Sequence, residues 1–200
     1  TGLAFNSSAN GFDTAAAGAM TLISTNTISS GVSSSSFTSG IDSTYDTYVF
    51  KIINCHPASD AHFTFNGSTD GGSNYNVTKT STNYRAYHAE SGSASGLSYR
   101  AGADLAQSTS YEILDADGTV SNHSDSGFNG DLFLFSPSNT TFVKHYISVT
   151  NGMVAGGSSQ TSNNYNAGYI NTTSAINAID FKFSSGNIDS GVIKMYGITK

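Results

Sequence analysis

Residues Tyr45–His56 read YDTYVFKIINCH, and this stretch decides the fold class. Strand alternation puts Tyr48, Phe50 and Ile52 on one face and Val49, Ile53 and Cys55 on the other. Apolar side chains on both faces mark a strand in the middle of a sheet, covered on each side. Phe128–Phe135 (FNGDLFLF) is also apolar on both faces and stops at Ser136-Pro137. Further out the pattern becomes that of half-buried strands. Phe142–Thr150 sends Val143, Ile147 and Val149 one way and Lys144 and Ser148 the other. Ile176–Ser184 sets Ile179, Phe181 and Phe183 inward against Asp180 and Lys182, and Gly191–Ile198 sets Ile193 and Met195 against Lys194. The expected core comprises Val49, Phe50, Ile53, Phe133, Leu134, Ile147, Phe181 and Phe183.

Met20–Ile28, Val32–Thr38, Ala61–Asn66, Asn76–Glu90, Tyr111–Leu114 and Tyr165–Asn171 complete the expected strands, divided by Gly/Ser/Asn/Asp clusters. Residues 91–110 and 156–164 read as loops. About ten short strands with no convincing helix predict an all-β, two-sheet antiparallel β-sandwich of jelly-roll type. One domain is expected over residues 20–200, preceded by an extended N-terminal arm, residues 1–19 (TGLAFNSSANGFDTAAAGA). That arm has no period. Its Phe5 and Phe12 are the residues expected to contact a partner, by docking on another subunit.

The composition agrees. Ser, Thr and Asn number 34, 22 and 18 among 200 residues, whereas only 11% are charged, under half the usual share of about 25%. Thirteen Ile, eight Val, twelve Phe and eleven Tyr outweigh seven Leu, three Met and two Glu, a strand-forming balance. The net charge of −6 and eight scattered Lys and Arg leave no footprint for nucleic acid. No apolar run approaches the ~20 residues of a membrane span, and no signal-peptide pattern is visible. A single cysteine permits neither an internal disulfide nor a cysteine-rich zinc site.

Chemistry-bearing motifs are few. Cys55 and His56 are strand neighbours and point to opposite faces, so they form no dyad. Asp115-Ala-Asp117-Gly118 opens like a calcium loop, and Asp125 could join it. Position twelve is Ser126 rather than Glu, however, and no helix flanks the loop. Asp115, Asp117 and Asp125 are thus weak metal candidates, beside a plain Asp/Gly turn, and no cofactor is expected. No G-x-S-x-G elbow occurs, and the two Glu, Glu90 and Glu112, lie in or beside polar loops. The chain is expected not to be an enzyme. Tyr75, Tyr84, Tyr87, Tyr99, Tyr165 and Tyr169 could stack on sugar rings, or could cover sheet faces and subunit contacts.

Four segments together resemble the small virion structural proteins of tailed bacteriophages, especially those of marine and cyanobacterial hosts. They are MTLISTNTISS (Met20–Ser30), YVFKIINCHPASD (Tyr48–Asp60), LFLFSPSNTTFVKH (Leu132–His145) and FKFSSGNIDSGVIKMYGI (Phe181–Ile198). The resemblance implies a module on the exterior of the virion, with no catalytic motif to carry over. A capsid decoration (cement-type) protein is the first expectation, a homo-oligomer bound to the major capsid protein. The alternative is a tail-fibre or knob module, attached to tail proteins and recognising host surface glycan through Tyr-rich loops. Scarce Lys and Arg leave few trypsin sites, and few ion pairs leave little for salt to screen.

Overall fold

The structure is a computed structural model that describes residues 3–5, 12–14, 19–115, 118–155 and 159–198. Its strands are β1 (Leu3–Phe5), β2 (Phe12–Thr14), β3 (Met20–Ile28), β4 (Ser35–Phe37), β5 (Thr47–Pro57), β6 (Phe63–Ser68) and β7 (Lys79–Ala89). They continue with β8 (Ser95–Tyr99), β9 (Glu112–Ile113), β10 (Phe128–Phe135), β11 (Lys144–Val154), β12 (Gln160–Ile170), β13 (Ala178–Phe183) and β14 (Ile188–Ile198). A single 3-10 turn, Ala101–Ala103, is the helical element among the described residues.

An eight-stranded antiparallel sheet, in the order β3-β14-β5-β10-β11-β12-β7-β8, packs on a four-stranded one, β4-β13-β6-β9. The pairing is nested: β3 with β14, β4 with β13, β5 with β10 and β6 with β9. The eight strands therefore pair first with last, second with seventh, third with sixth and fourth with fifth. That is a long antiparallel hairpin rolled into a two-sheet sandwich, the jelly-roll topology. Two insertions widen it. β7 and β8 leave between β6 and β9, β11 and β12 leave between β10 and β13, and all four extend the large sheet beyond β10.

The two sheets meet through aromatic rings. Phe181 of β13 lies 5.5 Å from Phe50 of β5, 6.0 Å from Phe63 and 6.4 Å from both Phe37 and Phe65, centroid to centroid. Phe63 also meets Phe128 of β10 at 5.0 Å. Such rings dominate core energetics by the area they bury, and tilted or edge contacts add to it. Phe50, Leu134, Phe181 and Phe183 are buried as expected.

Four residues expected in the core point the other way. Ile53 and Ile147 are 37% and 46% exposed, and with Val49 and Phe133 they lie on the outer face of the large sheet, which no second layer covers among the described residues. Val49 is nonetheless buried, between its neighbours Tyr196 and Phe133. Two-sided apolarity did mark interior strands of the sheet, but the described residues supply a cover for one side alone.

Two expected loops contain strand. β8 forms within residues 91–110, and β12 starts at Gln160 rather than Tyr165. Both were hidden because SGLSY is an edge strand with Leu97 74% exposed, while QTSNNYNAGYI buries amides and hydroxyls in place of apolar groups. Part of the expected extended arm is a two-stranded hairpin, in which Phe5 lies opposite Phe12. Side chains of that hairpin lie outside the described residues, and so does the expected docking of Phe5 and Phe12.

Candidate functional site

At one end of the large sheet a backbone irregularity shapes a groove. Asn54 interrupts β5 with φ of +48°, a left-handed conformation that Asn tolerates better than most residues. The pairing of β5 shifts register on both sides there, against β10 between Phe128 and Gly130 and against β14 between Ile188 and Val192. The flanking strands answer with glycine. A Cβ at Gly130 would sit 2.4 Å from the Val149 carbonyl oxygen, and one at Gly191 2.7 Å from the Cα of Cys55. Bulges of this kind bend a strand and re-aim its side chains.

The groove beside this bulge encloses about 800 Å³. Its walls include Asn54, His56, Asn129, Asn151, Thr161 and Asp189, together with His88, Glu90 and Asp125. Asn129 Oδ1 accepts the Asn54 N–H at 2.8 Å. His56 Nε2 lies 3.1 Å from the His123 carbonyl oxygen, so this nitrogen carries the proton, and Nδ1 is 3.7 Å from Asp189 Oδ2. Asn151 Nδ2 donates to Thr161 Oγ1 at 2.9 Å. The lining is thus a set of amides, hydroxyls, imidazoles and carboxylates, with no Lys or Arg among the described residues. It can exchange hydrogen bonds with a neutral polyhydroxylated ligand, and it offers no Lys or Arg to bind phosphate or sulfate.

The metal candidates separate. Asp115 is buried, with Oδ1 3.0 Å from His62 Nδ1 and Oδ2 accepting the Phe63 N–H at 3.2 Å. Burial pushes its carboxyl up to about 6, against the pull of His62, and the hydrogen bond to Asp115 raises His62 in turn. Both oxygens hold a loop to β6. Asp125 lines the groove, and Asp117 lies outside the described residues. Among the described residues no three His, Cys, Asp or Glu gather into a metal-binding group.

Cys55 is fully buried, and desolvation pushes its thiol up to about 12, far from the thiolate that a nucleophile needs. The tyrosines are on strands more than in loops. Tyr84 stacks on Tyr165 at 4.8 Å, and with Tyr99 they form a row on the outer face of the large sheet. Tyr169 shares that face with His145, 6.1 Å away. Tyr87 lies under the Arg85 guanidinium, and the Tyr75 hydroxyl is buried. The expectation of a Tyr-rich loop surface is therefore corrected to a tyrosine-bearing sheet face.

Sequence reading did not foresee the buried polar layer under β11, β12 and β7. Glu112 Oε1 accepts from Asn166 Nδ2 at 2.6 Å and Asn83 Nδ2 at 3.2 Å, and Oε2 accepts from Tyr146 Oη at 2.9 Å. Lys79 Nζ donates to Asn66 Oδ1 at 2.5 Å and to the Val77 carbonyl at 3.0 Å, fully buried. The scarcity of Glu, with one copy beside a short apolar run, was the available signal. Nothing in the spacing of Lys79 set it apart from a surface lysine. Compared with known proteins, the chain matches no family model, no curated protein and no solved structure.

Proposed function

We propose that the protein is a non-enzymatic structural component of the exterior of a tailed-phage virion, decorating the capsid in several copies bound to the major capsid protein. The observation that carries this reading is the outer face of the large sheet. Eight of the nine exposed large hydrophobic residues, all but Phe142, are on the strands of this sheet. Contiguous apolar surface of this kind marks interaction sites more than solvent-facing surface. The segments that carry the phage resemblance support it, because they fall on β3, β5, β10, the start of β11, β13 and β14. All but β11 are strands of the roll. Jelly rolls serve in viral capsids and in lectins alike, so the fold by itself chooses neither. An antibody to the purified protein, applied to particles of the phage that encodes it, is expected to label the heads. Label confined to the tail tip, or absence of the protein from purified particles, overturns the proposal.

The groove favours a second reading, a tail-fibre or knob module that binds neutral host glycan. On that reading Asn151→Ala abolishes saturable oligosaccharide binding measured by calorimetry, and a wild-type protein that binds none of a broad glycan panel ends it.

A further inference from the structure

The outer face of the large sheet has an order that selects its occupant. One row crosses six strands as Leu22, Tyr196, Val49, Phe133, Ile147 and Ala167, on β3, β14, β5, β10, β11 and β12. The next row along the strands reads Thr25, Lys194, Lys51, Asp131, Val149 and Tyr165. Its centre is the pair between Lys51 and Asp131, at 2.9 and 3.1 Å, with side chains 38% and 34% exposed. Opposite charges side by side at the middle of an apolar face are self-complementary under a two-fold axis that runs between them, parallel to the strands.

We infer that two copies of this chain pack face to face through β3, β14, β5, β10, β11 and β12 about that axis. This rests on the reading of the face as an assembly surface and names its first partner. The operation lays β5 on β10, β14 on β11 and β3 on β12 of the second copy. Lys51 then meets the partner's Asp131 and Asp131 the partner's Lys51, closing a ring of four alternating charges. Around it Tyr196 meets Ile147 and Leu22 meets Ala167, in each case a larger side chain against a smaller one, while Val49 is already covered within its own chain. Lys194 lays its aliphatic stem on Val149.

Size agrees. Six strands about 4.8 Å apart and about seven residues long at ~3.3 Å per residue give a flat footprint of roughly 29 by 23 Å. That is on the order of 700 Å² per partner, within the range of stable interfaces, near 800 Å². The closed symmetry makes the contact isologous and leaves the sheet edges free. It also completes the pattern of YVFKIIN and DLFLF, apolar on two faces, of which the described residues cover one.

The test is sedimentation of the full chain between about 1 and 100 μM, a range that brackets typical weak and stable dimers. Wild type is expected to be dimeric. Lys51→Asp places four carboxylates at the centre and Asp131→Lys four ammonium groups, and each is expected to weaken self-association roughly tenfold or more. An equimolar mixture of the two variants restores dimerisation, because each Asp then faces a Lys. A role of the pair confined to one chain cannot produce that recovery. Ile147→Lys, at an exposed position, is a second disrupting variant, and circular dichroism confirms that all variants are folded. A monomeric wild type overturns the inference, as do single variants that associate like wild type or a mixture that does not recover. Dimerisation only after deletion of residues 1–19 also overturns it, by naming the arm as the cover. None of these outcomes touches the virion-labelling test.

Discussion

Under β3, β14, β5 and β10 the large sheet turns Ile193, Met195, Phe50, Ile52, Leu132 and Leu134 inward, whereas under β11, β12 and β7 it turns Lys144, Thr150, Asn164, Asn166, Lys79 and Asn83 inward. Both sets are buried, on one continuous sheet. The difference lies in what covers them. The first half faces strands β4, β13 and β6, whose backbone groups are satisfied mainly within their own sheet; the edge strand β4 takes one side-chain partner, Asn26 Nδ2 of β3, which donates to the Ser36 carbonyl at 3.1 Å. The second half faces β9, the turn Ala101–Ala103 and irregular chain, and a buried backbone group without a ladder partner is costly. Side chains supply the partners: Thr150 Oγ1 donates to the Leu114 carbonyl at 2.6 Å, Asn83 Nδ2 to that of Ala103 at 3.1 Å and Asn166 Nδ2 to that of Ile113 at 3.2 Å. A sheet roofed by a sheet can bury hydrocarbon. A sheet roofed by loops buries amides and hydroxyls.

The largest effect is expected in the aromatic half. Phe181→Ala removes the ring that four other Phe surround and should cost about 3–5 kcal/mol in denaturant unfolding; a loss below about 1 kcal/mol would erase the contrast between the halves. In the polar half, Glu112→Leu leaves the Tyr146 hydroxyl without its acceptor and removes one of the acceptors of Asn83 and Asn166, and should cost about 1–3 kcal/mol, while Glu112→Gln, which keeps one acceptor oxygen, should cost clearly less. Equal losses from the two substitutions would mean that packing, and not hydrogen bonding, holds this half.

Lys79 sharpens the comparison through pH. Burial lowers its ammonium from 10.5 to about 8, although Glu112 pulls it back up. Between those values the unfolded chain holds a proton that the folded chain has released, so the contribution of Lys79 to stability rises with pH, by about 2–3 kcal/mol from pH 8 to 10.5. Buried Cys55, whose thiol is pushed from 9.0 up to about 12, works in the opposite direction over the same window. The Lys79 contribution is therefore read as the difference between wild type and Lys79→Met, and a difference that does not grow from pH 8 to 10.5 contradicts the buried, partly neutral lysine. The smallest effect belongs to the rim. Leu97→Ser, on the edge strand and 74% exposed, should change stability by less than about 0.5 kcal/mol. A larger loss would mean that β8 is covered.

Strand existence was legible where apolar periodicity was strong, as in Met20–Ile28 and Phe128–Phe135, whose bounds coincide with β3 and β10. It failed in SGLSY and QTSNNYNAGYI, because an edge strand and a strand over a polar layer carry no apolar alternation. The candidate groove was less legible still. His56, Asn129, Asn151 and Asp189 come from separate strands, and only the bulge at Asn54 and the order of the sheet bring them together.

The amino-acid sequence by itself determined that the chain is all-β and poor in charge, because side-chain chemistry and strand alternation are local properties. Which apolar face would be covered, which amides would be buried and which side chains would share a groove were decided by the tertiary structure. Those depend on what lies opposite each strand, and in a nested roll the opposite strand is often more than a hundred residues away, as β13 is from β5, whose Phe181 and Phe50 meet across the core. Ile53 and Ile52 are adjacent and chemically identical. One is exposed and the other buried because the small sheet lies on one side of β5 alone.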